Sequence, residues 1–173
     1  MNLKLVQPSI AYRDSFIALA REFQANGETR YEALLPHLES DFASYVQMLE
    51  KQEKGIGLQK GHVSQTTFWS IEDGEVIGVI RIRHSLTPAL KAVGGHIGYQ
   101  IRPSRRRKGY GTRQCALSLD VVREWGWEKV LITCDDDNIG SARIIEANGG
   151  ILWDVHQPEG EPKPIRRYWI HLS

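Results

Sequence analysis

Apolar residues in the first third of the chain recur at the spacing of one helix face. A short alternating strand is predicted at residues 3–6, and Ser9 offers a cap for a first helix that ends near Asn26-Gly27. The apolar face of this helix comprises Tyr12, Phe16, Leu19, Ala20 and Phe23. Ser40 offers a second cap, for a helix that carries Phe42, Tyr45, Val46 and Leu49. The pattern therefore predicts one strand followed by two helices.

From Thr67 onward the pattern changes to the period-two alternation of strands. Asp73-Gly74 separates residues 67–71 from residues 75–83, which is typical of a tight hairpin. The later predicted elements are, in order, a strand at 95–101, a helix at 111–125 capped by Gly126, a buried strand at 129–134, a short helix from Asn138 to 148 and closing strands at 151–155 and 165–172. This order predicts an α+β fold in one domain spanning residues 1–173.

Composition and charge narrow the classes of function. A chain of 173 residues that is 41% hydrophobic and 25% charged can bury a sizeable core. The 22 basic and 21 acidic residues nearly cancel, which argues against nucleic acid or an anionic membrane as partner. Cys115 and Cys134 are too few for a disulfide framework, and no metal site is expected. We expect a cytoplasmic protein, since no apolar run approaches the ~20 residues of a membrane span.

A basic, glycine-containing segment lies between the predicted strand at 95–101 and the helix that follows it. The segment consists of Arg105, Arg106, Arg107, Lys108, Gly109, Tyr110, Gly111 and Thr112. Free backbone N–H groups and the positive end of the helix dipole meet at such a position, so an anion is stabilised there. Gly109 and Gly111 let the backbone approach a phosphate closely. The segment predicts a pyrophosphate-binding loop, which we call the glycine loop (residues 105–112).

Arg106, Gly109 and Gly111 match the (Gln/Arg)-x-x-Gly-x-(Gly/Ala) motif of the GNAT superfamily of acyl-CoA-dependent N-acyltransferases. The Asn138-x-x-Ser-x-x-Ile-Ile-Glu-Ala-Asn-Gly-Gly stretch and the closing Arg-Tyr-Trp-Ile resemble uncharacterised bacterial members of it. The preceding 98–103 stretch and the Asn138 helix occur in that family's order. The resemblance runs from about Gly74 to Ile151. It implies a three-layer fold, a mixed, mostly antiparallel sheet of about seven strands with splayed central strands, flanked by roughly four helices.

The resemblance also implies which residues bind the cosubstrate, acetyl-CoA. Backbone groups of the glycine loop would bind its pyrophosphate, and the strand ending at 101 would pair with its pantetheine arm. The start of the Asn138 helix would contact it near the thioester. The implied cofactor-binding residues are Tyr99, Gln100, Ile101, Arg106, Arg107, Lys108, Gly109, Tyr110, Gly111, Thr112, Asn138 and Ser141.

Acyl transfer needs a base for the amine and an acid for the departing thiolate. His96 on the strand beside the acyl group is the candidate base, with His84 next, because imidazole titrates near neutral pH. Many family members carry a tyrosine seven residues after the asparagine, but this chain has Ile145 there. Tyr168 is the candidate acid, with Tyr110 another phenol, and water can also protonate the thiolate. Asn138 completes the catalytic candidates, and backbone N–H groups at a bulge in the strand at 95–101 would hold the oxyanion.

The acceptor has no motif of its own. The resemblance implies a small-molecule or peptide amine that receives an acetyl group directly from acetyl-CoA, in a monomer or homodimer. Ile145 keeps a second hypothesis open, in which the chain is a catalytically silent CoA-binding or sensor module. The length of the acyl group, acetyl or longer, is also open.

Overall fold

The strands and helices follow the order predicted from the pattern, with two short helices added. The computed structural model describes all 173 residues, 1–173. The strands are β1 (Lys4–Val6), β2 (Gln65–Glu72), β3 (Glu75–Arg83), β4 (Ile97–Ile101), β5 (Lys129–Asp135), β6 (Ile151–His156) and β7 (Ile165–His171). The helices are α1 (Arg13–Ala25), α2 (Leu35–Ser40), α3 (Phe42–Glu53), α4 (Pro88–Ala92), α5 (Tyr110–Glu124) and α6 (Ile139–Ala147). None of these helices is both long and apolar enough to cross a membrane.

The strands form two antiparallel sheets rather than one mixed sheet. The first has the order β1-β2-β3-β4 and the second the order β5-β7-β6. The central strands β4 and β5 meet only at their junction, where Gly95 bridges Ile132 and the His96 N–H donates to the Leu131 carbonyl at 2.7 Å. The predicted α+β fold with seven strands and splayed central strands is therefore confirmed, whereas six helices stand where four were expected.

Two details of the local predictions need correction. The Asp41 side chain, not that of Ser40, caps α3 by accepting from the Ser44 N–H at 3.2 Å, while Ser40 ends α2. The bulge expected in the strand at 95–101 does not lie within β4, which pairs with β3 without a register shift; the irregular backbone precedes it, where Gly94 and Gly95 have positive φ and the His96 N–H turns to Leu131. The Asp73-Gly74 turn is as predicted, with both residues at positive φ (50° and 79°), as a two-residue hairpin requires.

Two apolar clusters fill the layers on either side of the first sheet. The first joins one face of β2 and β3 to α1, α2 and α3, with Phe16 stacked on Trp69 at a centroid distance of 4.5 Å. The second joins the other face to α5, α6 and the second sheet, and it includes Ile80, Ile97 and Tyr168. The two faces of β4 therefore contact different clusters, and the Tyr99 side chain packs against the second one.

Candidate active site

A cleft of about 720 Å³ opens where β4 and β5 separate, between the end of β4, the glycine loop and α6. Its lining comprises Phe23, Glu28, Arg30, Tyr99, Gln100, Ile101, Arg106, Arg107, Gly109, Gly111, Thr112, Asn138, Ile139, Gly140, Ser141, Arg143 and Ile144. Only one acidic side chain, Glu28, stands among four arginines in this lining. The cleft is therefore electropositive and suits an anionic ligand.

The glycine loop supplies unpaired backbone donors at the start of α5. Gly109 occupies the N-cap position at φ +85°, a left-handed conformation that side chains rarely adopt. Within the helix the first bonded amide is that of Arg113, which donates to the Gly109 carbonyl at 3.1 Å. The N–H groups from Arg107 to Thr112 have no acceptor within the chain. This is the donor arrangement that binds a phosphate or pyrophosphate group.

The open edge of β4 supplies a second row of backbone groups. The Arg83 N–H bonds to the His96 carbonyl and the Arg102 N–H to the Ile77 carbonyl, so even-numbered β4 residues point their polar groups at β3. By alternation, the N–H and C=O groups of Tyr99 and the N–H of Ile101 point away from β3, toward the gap before β5. This edge can pair with the amides of an extended ligand.

Much of the arginine charge beside the cleft is already neutralised by acidic residues of α1, of the turn after it and of β3. Arg106 forms a bidentate pair with Glu28, at 2.7 and 3.1 Å, and donates to the Ile101 carbonyl. Arg102 pairs with Glu22 and Glu75. These pairs fix the loop against α1, and they leave Arg30, Arg107 and Arg143 as the lining cations without a carboxylate partner.

The structure brings most of the predicted cofactor-binding residues to this cleft. Those that line it are Tyr99, Gln100, Ile101, Arg106, Arg107, Gly109, Gly111, Thr112, Asn138 and Ser141. Lys108 and Tyr110 do not line it. The Lys108 ammonium donates to the Ser104 carbonyl at 2.9 Å, and the Tyr110 phenol turns away to donate to Glu72.

His96 is not placed to act as the base. It does not line the cleft, and its Nδ1 accepts from the Leu131 N–H at 2.9 Å, so its lone pair is occupied. Burial, aided by the charge of Arg83, lowers the pKa of His96 to about 4. The histidine is therefore neutral near pH 7 and holds β4 to β5. His84 also lies outside the lining, with its Nε2 2.8 Å from the Thr66 hydroxyl.

Tyr168, the candidate acid, is fully buried and its phenol donates to Glu146 at 2.9 Å, away from the cleft. Ile145 is equally buried. A different phenol lines the cleft: the Tyr99 hydroxyl lies 2.7 Å from the Ser141 hydroxyl. Asn138 lines it too, while its side chain accepts from the Ser141 N–H and caps α6. The sequence indicates only a backbone role for Tyr99, because the contact of its phenol with Ser141 arises from the packing of β4 against α6.

Tertiary packing adds lining residues that no local pattern indicates. Phe23 and Arg30 come from the end of α1 and the turn after it, and the α6 face adds Ile139, Gly140, Arg143 and Ile144. Of these, the spacing indicates only Ile144, which lies three residues after Ser141 and so shares its helix face. No comparable signal links α1 to the glycine loop, apart from the opposite charges of Glu28 and Arg106.

Comparison with known proteins agrees with this geometry. The family described as Acetyltransferase (GNAT) domain matches residues 3–151, most of the chain. The chain belongs to the GNAT acetyltransferase family. It is thus an acetyl-CoA-dependent N-acetyltransferase by family. No functionally curated protein matches the sequence significantly.

Solved structures of GNAT enzymes share the fold at low identity. The microcin C7 self-immunity acetyltransferase MccE, in complex with acetyl-CoA and AMP, is 17% identical with a TM-score of 0.73, covering 98% of this chain and 92% of its own. Mycobacterium smegmatis RimJ, with a CoA-disulfide, is 19% identical with a TM-score of 0.71, covering 98% and 81%. A Salmonella typhimurium acetyl transferase that modifies the N-terminal serine of a 50S ribosomal subunit protein is 17% identical with a TM-score of 0.68, covering 99% and 95%.

Proposed function

We propose that this GNAT protein transfers an acetyl group from acetyl-CoA to a primary amine by direct attack of the amine on the thioester. The observation that carries the proposal is the electropositive cleft, which joins the unpaired amides of the glycine loop to the open edge of β4. A pyrophosphate bound to those amides and a pantetheine arm beside Tyr99 and Ile101 would lead the thioester into the gap between β4 and β5. The acceptor is a small-molecule or peptide amine, and we expect the reaction in the cytoplasm.

The side chains of the cleft provide a candidate general acid but no candidate general base. The Tyr99 phenol and the Ser141 hydroxyl form a pair that can deliver a proton to the departing thiolate. Burial raises the pKa of Tyr99, so this phenol is protonated near neutral pH. Hydrogen bonds from Arg106 lower the pKa of Glu28, which makes the one lining carboxylate a poor base. We infer that the amine loses its proton to solvent before it attacks.

This inference predicts a simple pH dependence. An alkyl amine has a pKa of about 10.4, so kcat/KM should rise about tenfold per pH unit from pH 6 to 9. His96 should add no step near pH 6.5, since its pKa of about 4 keeps it neutral across that range. Amines of lower pKa should reach their plateau at correspondingly lower pH. An inflection of kcat/KM that stays near pH 6.5 for every acceptor would instead indicate that a side chain acts as the base.

Removing the unpaired cations of the cleft should weaken acetyl-CoA binding. Arg30→Gln and Arg143→Gln are each expected to raise Kd for acetyl-CoA about 3- to 10-fold, because each removes an exposed charge worth roughly 1 kcal/mol toward an anion. The effect should shrink at high salt. Isothermal titration calorimetry at two ionic strengths measures it. Lys60→Gln, which removes a charge from the remote loop after α3, is the matched control.

Two measurements test the proposed function itself. Acetyl-CoA and longer acyl-CoA thioesters should bind, as followed by calorimetry, and thiol release should appear with at least one member of a panel of amines. Saturable acetyl-CoA binding with no turnover on any amine would favour the sensor module that Ile145 suggests. Absence of binding would overturn both readings of the cleft.

A further inference from the structure

Several buried polar side-chain atoms of β4, of β2 and of the segment between α1 and α2 have no hydrogen-bond partner. They are the Tyr31 hydroxyl, the Thr67 hydroxyl, the Trp69 indole N–H and both amide atoms of Gln100. Their side chains are between 0 and 6% exposed. Leaving one such group unpaired costs about 1–3 kcal/mol, so a cluster of them indicates a place where a polar ligand or its bridging water binds.

The register of the first sheet places these atoms on one face. Trp69, Val79 and Gln100 form one cross-strand row, and Thr67, Arg81 and Gly98 form the next row. Trp69 and Val79 pack in the cluster with α1, α2 and α3, so both rows face those helices. Diagonal neighbours such as Arg81 and Gln100 lie within reach of long side chains. We call this group of residues, with Tyr31 above it, the polar face.

The polar face carries positive charge that no acidic side chain balances. Neither Arg81 nor Arg83 takes part in any of the ion pairs of the chain. Arg83 donates to the carbonyls of Gly94 and Gly95, at 3.1 Å each, and its guanidinium would lie 3.8 Å from a Cβ at Gly98. Arg81 has no carboxylate or carbonyl partner, and its guanidinium lies beside the phenols of Tyr31 and Tyr45. Burial and the neighbouring Tyr45 raise the pKa of Tyr31, and Arg81 opposes that rise from close by, although the phenol and the guanidinium do not meet in hydrogen-bond geometry.

The chemistry of these groups selects the ligand. A guanidinium and an indole N–H can only donate, and the amide and hydroxyls beside them can donate as well, so the complementary group is an anion with several acceptor oxygens. Gln100 belongs both to the polar face and to the lining of the cleft. An anion held at Arg81 and Gln100 would therefore lie against β4 on the face opposite the Tyr99 phenol, next to the strand edge that would carry the thioester.

We propose that the polar face is the acceptor subsite and that it selects an amine that also carries a carboxylate, held by Arg81 and Gln100. This inference rests on the proposed function, because it names the substrate class of the same cleft. Tyr31, Thr67 and Trp69 form the polar wall behind the carboxylate and reach it directly or through water. The carboxylate supplies the missing negative charge and the missing acceptors together.

The test uses amino carboxylates, and short peptides with an acidic second residue, each paired with its uncharged amide and with an aminoalkyl phosphonate. The wild-type protein should show kcat/KM at least about tenfold higher for a carboxylate than for its amide, as expected for a charged hydrogen bond. Arg81→Met should remove that preference by raising KM for the carboxylate about 10- to 100-fold. Kd for acetyl-CoA should stay unchanged, because Arg81 does not line the cleft.

Controls separate this proposal from the proposed function. Arg21→Met removes an exposed arginine that pairs with Glu39 on the surface, and it should keep the preference. Arg81→Lys retains the positive charge and should keep part of the preference for carboxylates. This variant tests the proposal even if Arg81→Met folds poorly. Calorimetric titration of the carboxylates into the CoA complex measures their binding to the subsite even without turnover. Equal or better use of the amides or phosphonates, or equal binding by wild type and Arg81→Met, would overturn the inference while amine acetylation stands.

Discussion

Gly109→Val is expected to weaken acetyl-CoA binding by about 100-fold or more. Gly109 sits at φ +85° as the N-cap of α5, and a β-branched residue is strained in that region. Relief of the strain must rotate the peptide groups whose N–H donors, from Arg107 to Thr112, are aimed at the cleft. Charge-assisted hydrogen bonds to an anion contribute about 1.5–3 kcal/mol each, so misdirecting two of them accounts for the loss.

Gly126→Val provides the matched control at the other end of the same helix. Gly126 has a φ of +80°, and a Cβ there would meet nothing within 4 Å. Both variants therefore carry similar backbone strain and should unfold at similarly reduced temperatures, while only the Gly109 variant loses affinity. Calorimetry with acetyl-CoA measures the difference. Unchanged affinity in Gly109→Val would refute the pyrophosphate loop, and equal losses in both variants would assign the effect to general destabilisation.

The glycine loop was predictable from the sequence because its chemistry is local. A strand followed by a helix fixes where free backbone donors lie, and Gly109 marks a left-handed backbone position, although Arg107 is left-handed as well at φ 59°. The short helices were harder because they have too few turns to show a period. For α4 a signal existed, since Thr87 caps the helix and Pro88 occupies its first turn, whereas α2 begins at Leu35 without a side-chain cap.

The roles of the side chains could not be predicted, because they depend on partners far away in sequence. His96 was expected on the strand beside the acyl group, but it precedes β4, and the Leu131 N–H that occupies its Nδ1 comes from β5. The arginines beside the cleft look alike in sequence, yet Glu22 and Glu28 of the α1 region neutralise some and leave others free. The sequence therefore predicts a basic site, whereas the charge available to a ligand emerges only from packing.

The absence of a tyrosine at position 145 has a structural counterpart in Tyr99. The side chain of Tyr99 extends from β4 to α6, and its hydroxyl reaches Ser141, one helical turn before Ile145. Among the lining residues it is the one phenol. Tyr168 is equally a phenol next to the same apolar cluster, but its hydroxyl is committed to Glu146. These two tyrosines therefore form a natural pair for testing which group protonates the thiolate.

Tyr99→Phe is expected to lower kcat about 100-fold, within the 10²- to 10⁴-fold range of a general acid, and to leave KM for acetyl-CoA within about threefold. Tyr168→Phe should change kcat little, although loss of its hydrogen bond costs some stability. Ser141→Ala should give a partial loss, because it removes the partner of the phenol but not the phenol itself. Steady-state kinetics with thiol release measure all three. A large loss of kcat in Tyr168→Phe, together with normal kcat in Tyr99→Phe, would instead identify Tyr168 on β7 as the general acid. Wild-type kcat in all three variants would mean that water protonates the thiolate.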